Sequence, residues 1–195
     1  WHQGIELSYS AHGQITDFTI SGQRYKTKEQ QVLVMNSQEI HSANNYLQAG
    51  EEFLSVIYPY TYVLSLYPEI SEKEIRINDF QAFSDMQKEK YIDLQALLLK
   101  VVAVFKSKSS YRNMRLQVLF DEVLYLILRY FTQPNASGIL YGQKSYVIER
   151  LQIITKFVNE NFQENISLRE IADKSGVSKE YLARFFKKNM GITVG

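Results

Sequence analysis

Cysteine is absent from the 195 residues. That excludes disulfides, thiolate metal sites and cysteine nucleophiles, and it fits a reducing compartment. Net charge is nearly absent too, since 22 basic and 21 acidic side chains leave +1. A chain so balanced does not coat nucleic acid by bulk electrostatics, so any such contact must be local. No stretch is long and apolar enough to span a bilayer and none resembles a secretory leader, so a cytoplasmic location without a membrane partner is expected. Internal repeats and low-complexity segments are lacking as well. What is present is 45% hydrophobic content, ample for the packed cores of one large or two smaller domains.

The most informative stretch is the last thirty residues, from Ile166 to Gly195. Ser167 with Glu170 three residues later is a capping box, so a short helix is predicted there with Leu168, Ile171 and Ala172 on its inner face. Gly176 ends it, and Ser178 caps a second helix whose apolar residues Tyr181, Leu182, Phe185 and Phe186 recur at helical spacing. Two short helices around a glycine turn make a helix-turn-helix: Ala172 is small where the helices cross, Gly176 tolerates a left-handed turn, and Val177, Leu182 and Phe185 fill the wedge. With that face turned inward, Lys179, Glu180, Ala183, Arg184, Lys187 and Lys188 point outward, as a recognition helix entering a major groove requires. From Ile166 onward six basic side chains stand against three acidic ones, so phosphate contacts would concentrate there.

The rest of the chain changes period once. Ile5–Tyr9, Ile15–Ile20, Gln23–Lys26, Val32–Met35, Phe53–Tyr58 and Tyr62–Tyr67 read as short strands, the pattern of a sandwich or small barrel. From about Met86 the period is helical. Tyr91, Leu94, Leu97, Leu98, Val101, Val102 and Phe105 mark one amphipathic helix; Leu116, Leu119, Phe120, Val123, Leu124, Ile127 and Phe131 mark a second. Val118, Leu126 and Leu128 widen the second stripe, leaving open burial within the chain or a seam with an identical subunit. Residues 132–143 read as a linker. Tyr146, Val147, Arg150, Leu151, Ile154, Phe157, Val158 and Phe162 then mark a helix that would brace the helix-turn-helix.

Taken together the chain resembles the AraC/XylS family of transcription regulators, most specifically at Leu168-x-x-Ile171-Ala172, Gly176-Val177-Ser178, Tyr181-Leu182-x-Arg184-x-Phe186-Lys187 and Gly191. The resemblance implies an α+β protein: a cupin-like effector-binding β-barrel over 1–85, a helical dimerisation region over 86–133, a linker over 134–143 and a DNA-binding domain over 144–195. The family's second helix-turn-helix is missing, so the chain is expected to be part of a longer protein. The implied partners are double-stranded DNA, a small-molecule effector such as a sugar, and a second copy of the chain. No cofactor or catalytic role is implied. Carried over, the base-reading positions are Glu180, Ala183 and Arg184, with Lys179, Lys187 and Lys188 nearer phosphates.

The first strand also resembles a cupin motif in His2, Glu6 and Gly13, and His41 with Asn45 fits the end of the second motif. In metal cupins such residues hold an ion, since imidazole and carboxylate together suit iron or manganese. His2, Glu6 and His41 are therefore the candidate metal ligands of an alternative reading, a metal-dependent cupin enzyme. The second motif's glycines and proline are replaced here by Gln30, Asn36 and Gln38, which favours a binding pocket without metal. For that pocket the expected inward residues are Glu6, Tyr9, Phe18, Tyr25, His41 and Tyr58, and a one-residue change of strand facing would invert them. A third reading is a constitutive DNA-binding dimer without an effector.

Overall fold

The computed structural model describes residues 2, 4–15, 17–44, 49–135, 141–164, 166–190 and 193–194. Trp1, Asn45, Gly191 and most of the expected linker, 136–140, lie outside the described residues. Six strands come first: β1 (Ile5–His12), β2 (Asp17–Ile20), β3 (Gln23–Tyr25), β4 (Val32–Met35), β5 (His41–Asn44) and β6 (Glu52–Tyr58). They form two antiparallel three-stranded sheets, in order β4-β1-β6 and β3-β2-β5. Among the described residues, strand pairing does not close them into one barrel.

Strand alternation explains how the sheets stack. On β1, the residues Ile5, Leu7, Tyr9 and Ala11 belong to the main core, on the side away from the second sheet. The opposite face of the first sheet carries Leu33 and Met35, which pack with Phe18 and Ile20 of the second sheet in a smaller core. Glu6 pairs with Met35 and Ser8 with Leu33 in register, so both point into this inter-sheet space. Ser10 Oγ meets Thr27 Oγ1 there at 2.8 Å, both buried.

The run expected as a sixth strand at Tyr62–Tyr67 is instead a helix, α1 (Tyr60–Leu66), begun at Pro59 with φ −53°. Proline's fixed φ is preorganised for a helix start, and a short apolar run does not by itself separate strand from helix. The long helices α2 (Asp85–Lys106) and α3 (Arg112–Tyr130) cover the outer face of the first sheet. A Ser84–Gln87 capping box begins α2. Leu126 and Leu128 of α3 pack on the core, whereas Met114, Val118 and Tyr125 are exposed. Beyond α3, Thr132–Pro134 forms β8, paired antiparallel with β7 (Lys73–Ile75). The chain then continues into α4 (Tyr141–Asn161), α5 (Leu168–Lys174) and α6 (Lys179–Met190). No helix among the described residues is long and apolar enough to cross a membrane.

A buried hydrogen bond ties α2 to the first sheet. The Val32 N–H donates to the buried Tyr91 hydroxyl at 2.8 Å, supplying an acceptor to a β4 amide on an open sheet edge. Tyr91→Phe leaves that amide unsatisfied and is expected to cost about 1–3 kcal/mol in urea unfolding; a change within error would show that water replaces the phenol.

Candidate DNA interface and sensor site

The C-terminal helices are built by the devices their sequence specifies. Ser167 Oγ accepts from the Glu170 N–H at 3.3 Å, and Glu170 Oε2 accepts from the Ser167 N–H at 2.7 Å. This reciprocal capping also lowers the Glu170 pKa, through the Ser167 backbone N–H first and its hydroxyl second. After α5 the chain turns at Gly176, φ +64°, where a Cβ would strain the backbone. The Val177 N–H then returns to the Ala172 carbonyl at 3.0 Å, and the Tyr181 N–H reaches Ser178 Oγ at 3.2 Å.

Leu151 and Ile154 of α4, Ile171 and Ala172 of α5, and Leu182, Phe185 and Phe186 of α6 form one buried cluster. Three of the four α6 residues expected inside are therefore inside. Tyr181 is not: it is 39% exposed, stacked on Phe185 at 5.6 Å with the Arg150 guanidinium 5.8 Å from its ring centroid. At the rim of the platform its ring covers Phe185 and holds a cation. Of the six residues proposed to meet DNA, Lys179, Glu180, Arg184, Lys187 and Lys188 are exposed, and Ala183 is half-buried.

In the N-terminal region the sequence-derived pocket residues separate into two groups. Glu6, Phe18, Tyr25 and His41 belong to the inter-sheet side. Tyr9 and Tyr58 lie in the core under the helices; burial pushes the Tyr9 phenol up to about 12, and the Tyr58 hydroxyl donates to the Phe120 carbonyl at 2.9 Å. The reason is parity, because residues 6 and 9 of one strand face opposite ways.

His2, Glu6 and His41 do converge. His2 Nε2 and His41 Nε2 lie 2.8 and 3.0 Å from Glu6 Oε2, and Ser55 Oγ donates to Glu6 Oε1 at 2.7 Å. The possible ligand atoms of the three residues lie within 4.8 Å of one another. Ser55 escaped the sequence reading; its trace is a lone serine within the apolar run Phe53–Tyr58. Each histidine Nδ1 faces a backbone carbonyl, Gly4 at 3.1 Å and Glu39 at 2.9 Å. A carbonyl only accepts, so each Nδ1 carries a proton. Each Nε2 nevertheless faces a carboxylate, which also accepts. With Nδ1 donating, each Nε2 can join the Glu6 carboxyl only through a proton or a cation placed between them. Beside it Gln38, φ +65°, gives its N–H to the His2 carbonyl at 3.2 Å, and among the described residues its buried side-chain oxygen has no partner.

The His41 ring holds the Glu6 carboxyl down at about 2 from the usual 4.5, with burial opposing and Ser55 and His2 adding to the effect. A depressed carboxyl stabilises the fold above its unfolded value and loses that contribution as pH falls through the folded one. Stability of roughly 1–3 kcal/mol is therefore expected to disappear between about pH 4.5 and pH 2. Glu6→Gln should flatten this acid limb in denaturant titrations, and an unaltered limb would assign it to other carboxyls.

A helix-turn-helix with a buried core and a basic outer face defines a DNA-binding module. The family model for bacterial regulatory helix-turn-helix proteins of the AraC type matches residues 158–195. Residues 158–195 are thus similar to the AraC-type helix-turn-helix of transcription regulators. It is also similar to the lactose operon transcription activator of Staphylococcus xylosus, 29% identical over 87 residues, a match covering 45% of this chain and 31% of that protein. No solved structure matches.

Proposed function

We propose that the protein is a ligand-responsive DNA-binding transcription regulator, with α6 as its recognition helix. The observation that carries this reading is the exposed set Lys179, Glu180, Arg184, Lys187 and Lys188 above a buried three-helix core. Arg184 would read guanine, Ala183 would touch a thymine methyl, and the three lysines would contact phosphates. With about three phosphate contacts, log affinity should fall with log salt at a slope near −3. Fluorescence anisotropy against a labelled duplex measures it, and a slope steeper than about −6 would require contacts from elsewhere in the chain.

The N-terminal sheets act in this reading as a cupin-like sensor of a small polar effector, and the similarity to a protein named for activating a lactose operon supports a sugar. An effector alters DNA binding only if it binds two arrangements of the protein with different affinity. The exposed Met114, Val118 and Tyr125 of α3 would pair two copies, which light scattering after size exclusion tests.

A second reading is favoured by the hydrogen-bond arithmetic at His2, Glu6 and His41. A divalent cation there would supply the positive charge that the two Nε2 atoms and the carboxylate need. Elemental analysis decides: stoichiometric metal that is lost in His41→Ala supports it, and metal-free protein overturns it.

A further inference from the structure

A cleft of about 690 Å3 lies where the edge of β3 faces β7, the start of α2 and β8. Its polar groups fall into two sets. One set is spent on holding the walls. Asn36 Oδ1 accepts from the Ile75 N–H and its Nδ2 donates to the Ile75 carbonyl; Asn78 makes the same pair of bonds with Val34. Glu39 accepts from Asn36, Gln87 spans Ser84 and the Tyr130 carbonyl, and Arg76 gives both Nε and Nη2 to Glu74.

The other set is unspent. Gln23, Tyr25 and Gln133 line the same space, and among the described residues their side chains make no hydrogen bond. Two amides and a phenol offer donors and acceptors around a cavity within the size range of small-molecule sites. Tyr25 also offers a ring face, and its pKa is raised, by burial first and by Glu39 next, so the phenol stays a donor at neutral pH. Carboxylates outnumber cations on the walls, with Glu39, Glu74 and Asp79 against Arg76. That balance disfavours phosphorylated or carboxylated ligands.

We infer that this cleft binds an uncharged, hydroxyl-rich ligand, a saccharide, and that it is a site separate from the His2, Glu6 and His41 cluster. The inference rests on the reading of the N-terminal sheets as a sensor and assigns where sensing occurs. The walls explain how occupancy reaches the DNA-binding helices. Ile20, Ser21 and Gln23 border the cleft, and a Cβ on the intervening Gly22 would sit 3.8 Å from the Lys188 carbonyl in α6. Gln133 belongs to β8, the last strand before α4. A ligand bridging Gln23 and Gln133 therefore ties the turn that abuts the recognition helix to the strand that leads into its domain.

Calorimetric titration of the full chain with lactose, sucrose and maltose, and with glucose 6-phosphate as an anionic control, tests the assignment. A neutral sugar should bind, and both Gln23→Ala/Gln133→Ala and Tyr25→Phe should weaken it by about tenfold or more, as expected for lost hydrogen bonds, while Glu6→Gln leaves it unchanged. Gln23 and Gln133 are exposed, so their removal does not threaten folding. If Glu6→Gln abolishes binding and the cleft variants do not, the cleft is overturned while the sensor reading survives. Tighter binding of the phosphorylated sugar overturns the charge argument, and no binding by any neutral sugar overturns the ligand class.

Discussion

Replacing Leu182 by alanine is expected to remove about 2–5 kcal/mol from the C-terminal domain, the cost of truncating a fully buried leucine in a core that cannot collapse around the gap. Leu182 is 0% exposed and sits where all three helices of the domain meet. Among the described residues seven buried side chains make that core, and small domains have roughly 5–15 kcal/mol in hand, so the loss is a large share of the total. Urea unfolding followed by circular dichroism should show an early transition for this domain. The paired control is Tyr181→Ala, one residue earlier on the rim, where the stacking on Phe185 limits the expected loss to about 1 kcal/mol. Equal losses for the two variants would mean that the platform is packed differently.

The second large effect is on recognition. Arg184→Ala is expected to weaken binding to a cognate duplex by about 1–3 kcal/mol, or roughly 5- to 150-fold, and to relax the preference at one base pair. Lys188→Ala should instead weaken all sequences alike and reduce the salt slope by about 1. Selection of sites from a randomised duplex separates the two outcomes. A lysine-like result for Arg184, uniform weakening without lost discrimination, would move the base-reading role to Glu180 or Ala183.

The C-terminal half was the more legible because its determinants are local. Capping box, turn glycine and helical spacing lie within thirty residues, and each reappears as a hydrogen bond or a buried side chain. Tyr181 broke the pattern because helical spacing defines a stripe but not its edge, and the edge residue of an amphipathic stripe is half wet. The N-terminal half depends on distant pairing. Strand β5, His-Ser-Ala-Asn, holds no β-branched residue and no Phe, Tyr or Trp, and its pairing with β2 makes it a strand. Tyr9 and Tyr58 were expected beside Glu6, and strand parity sends them to the opposite face. The convergence of His2, Glu6 and His41 was legible as motif spacing, while its hydroxyl partner Ser55 was hidden by the strand register.

The ladder of β7 with β8 joins residues 73–75 to 132–134, so the excursion through both long helices begins and ends at one clasp. Asn135 is fastened as well, its N–H donating to the Glu72 carbonyl at 3.0 Å. From there to Tyr141 the chain has six peptide steps, a reach of about 20 Å at full extension. The helix-turn-helix domain therefore begins within that distance of the N-terminal body. If two copies pair as proposed, the separation of their helix-turn-helix units would follow from how those bodies are mounted.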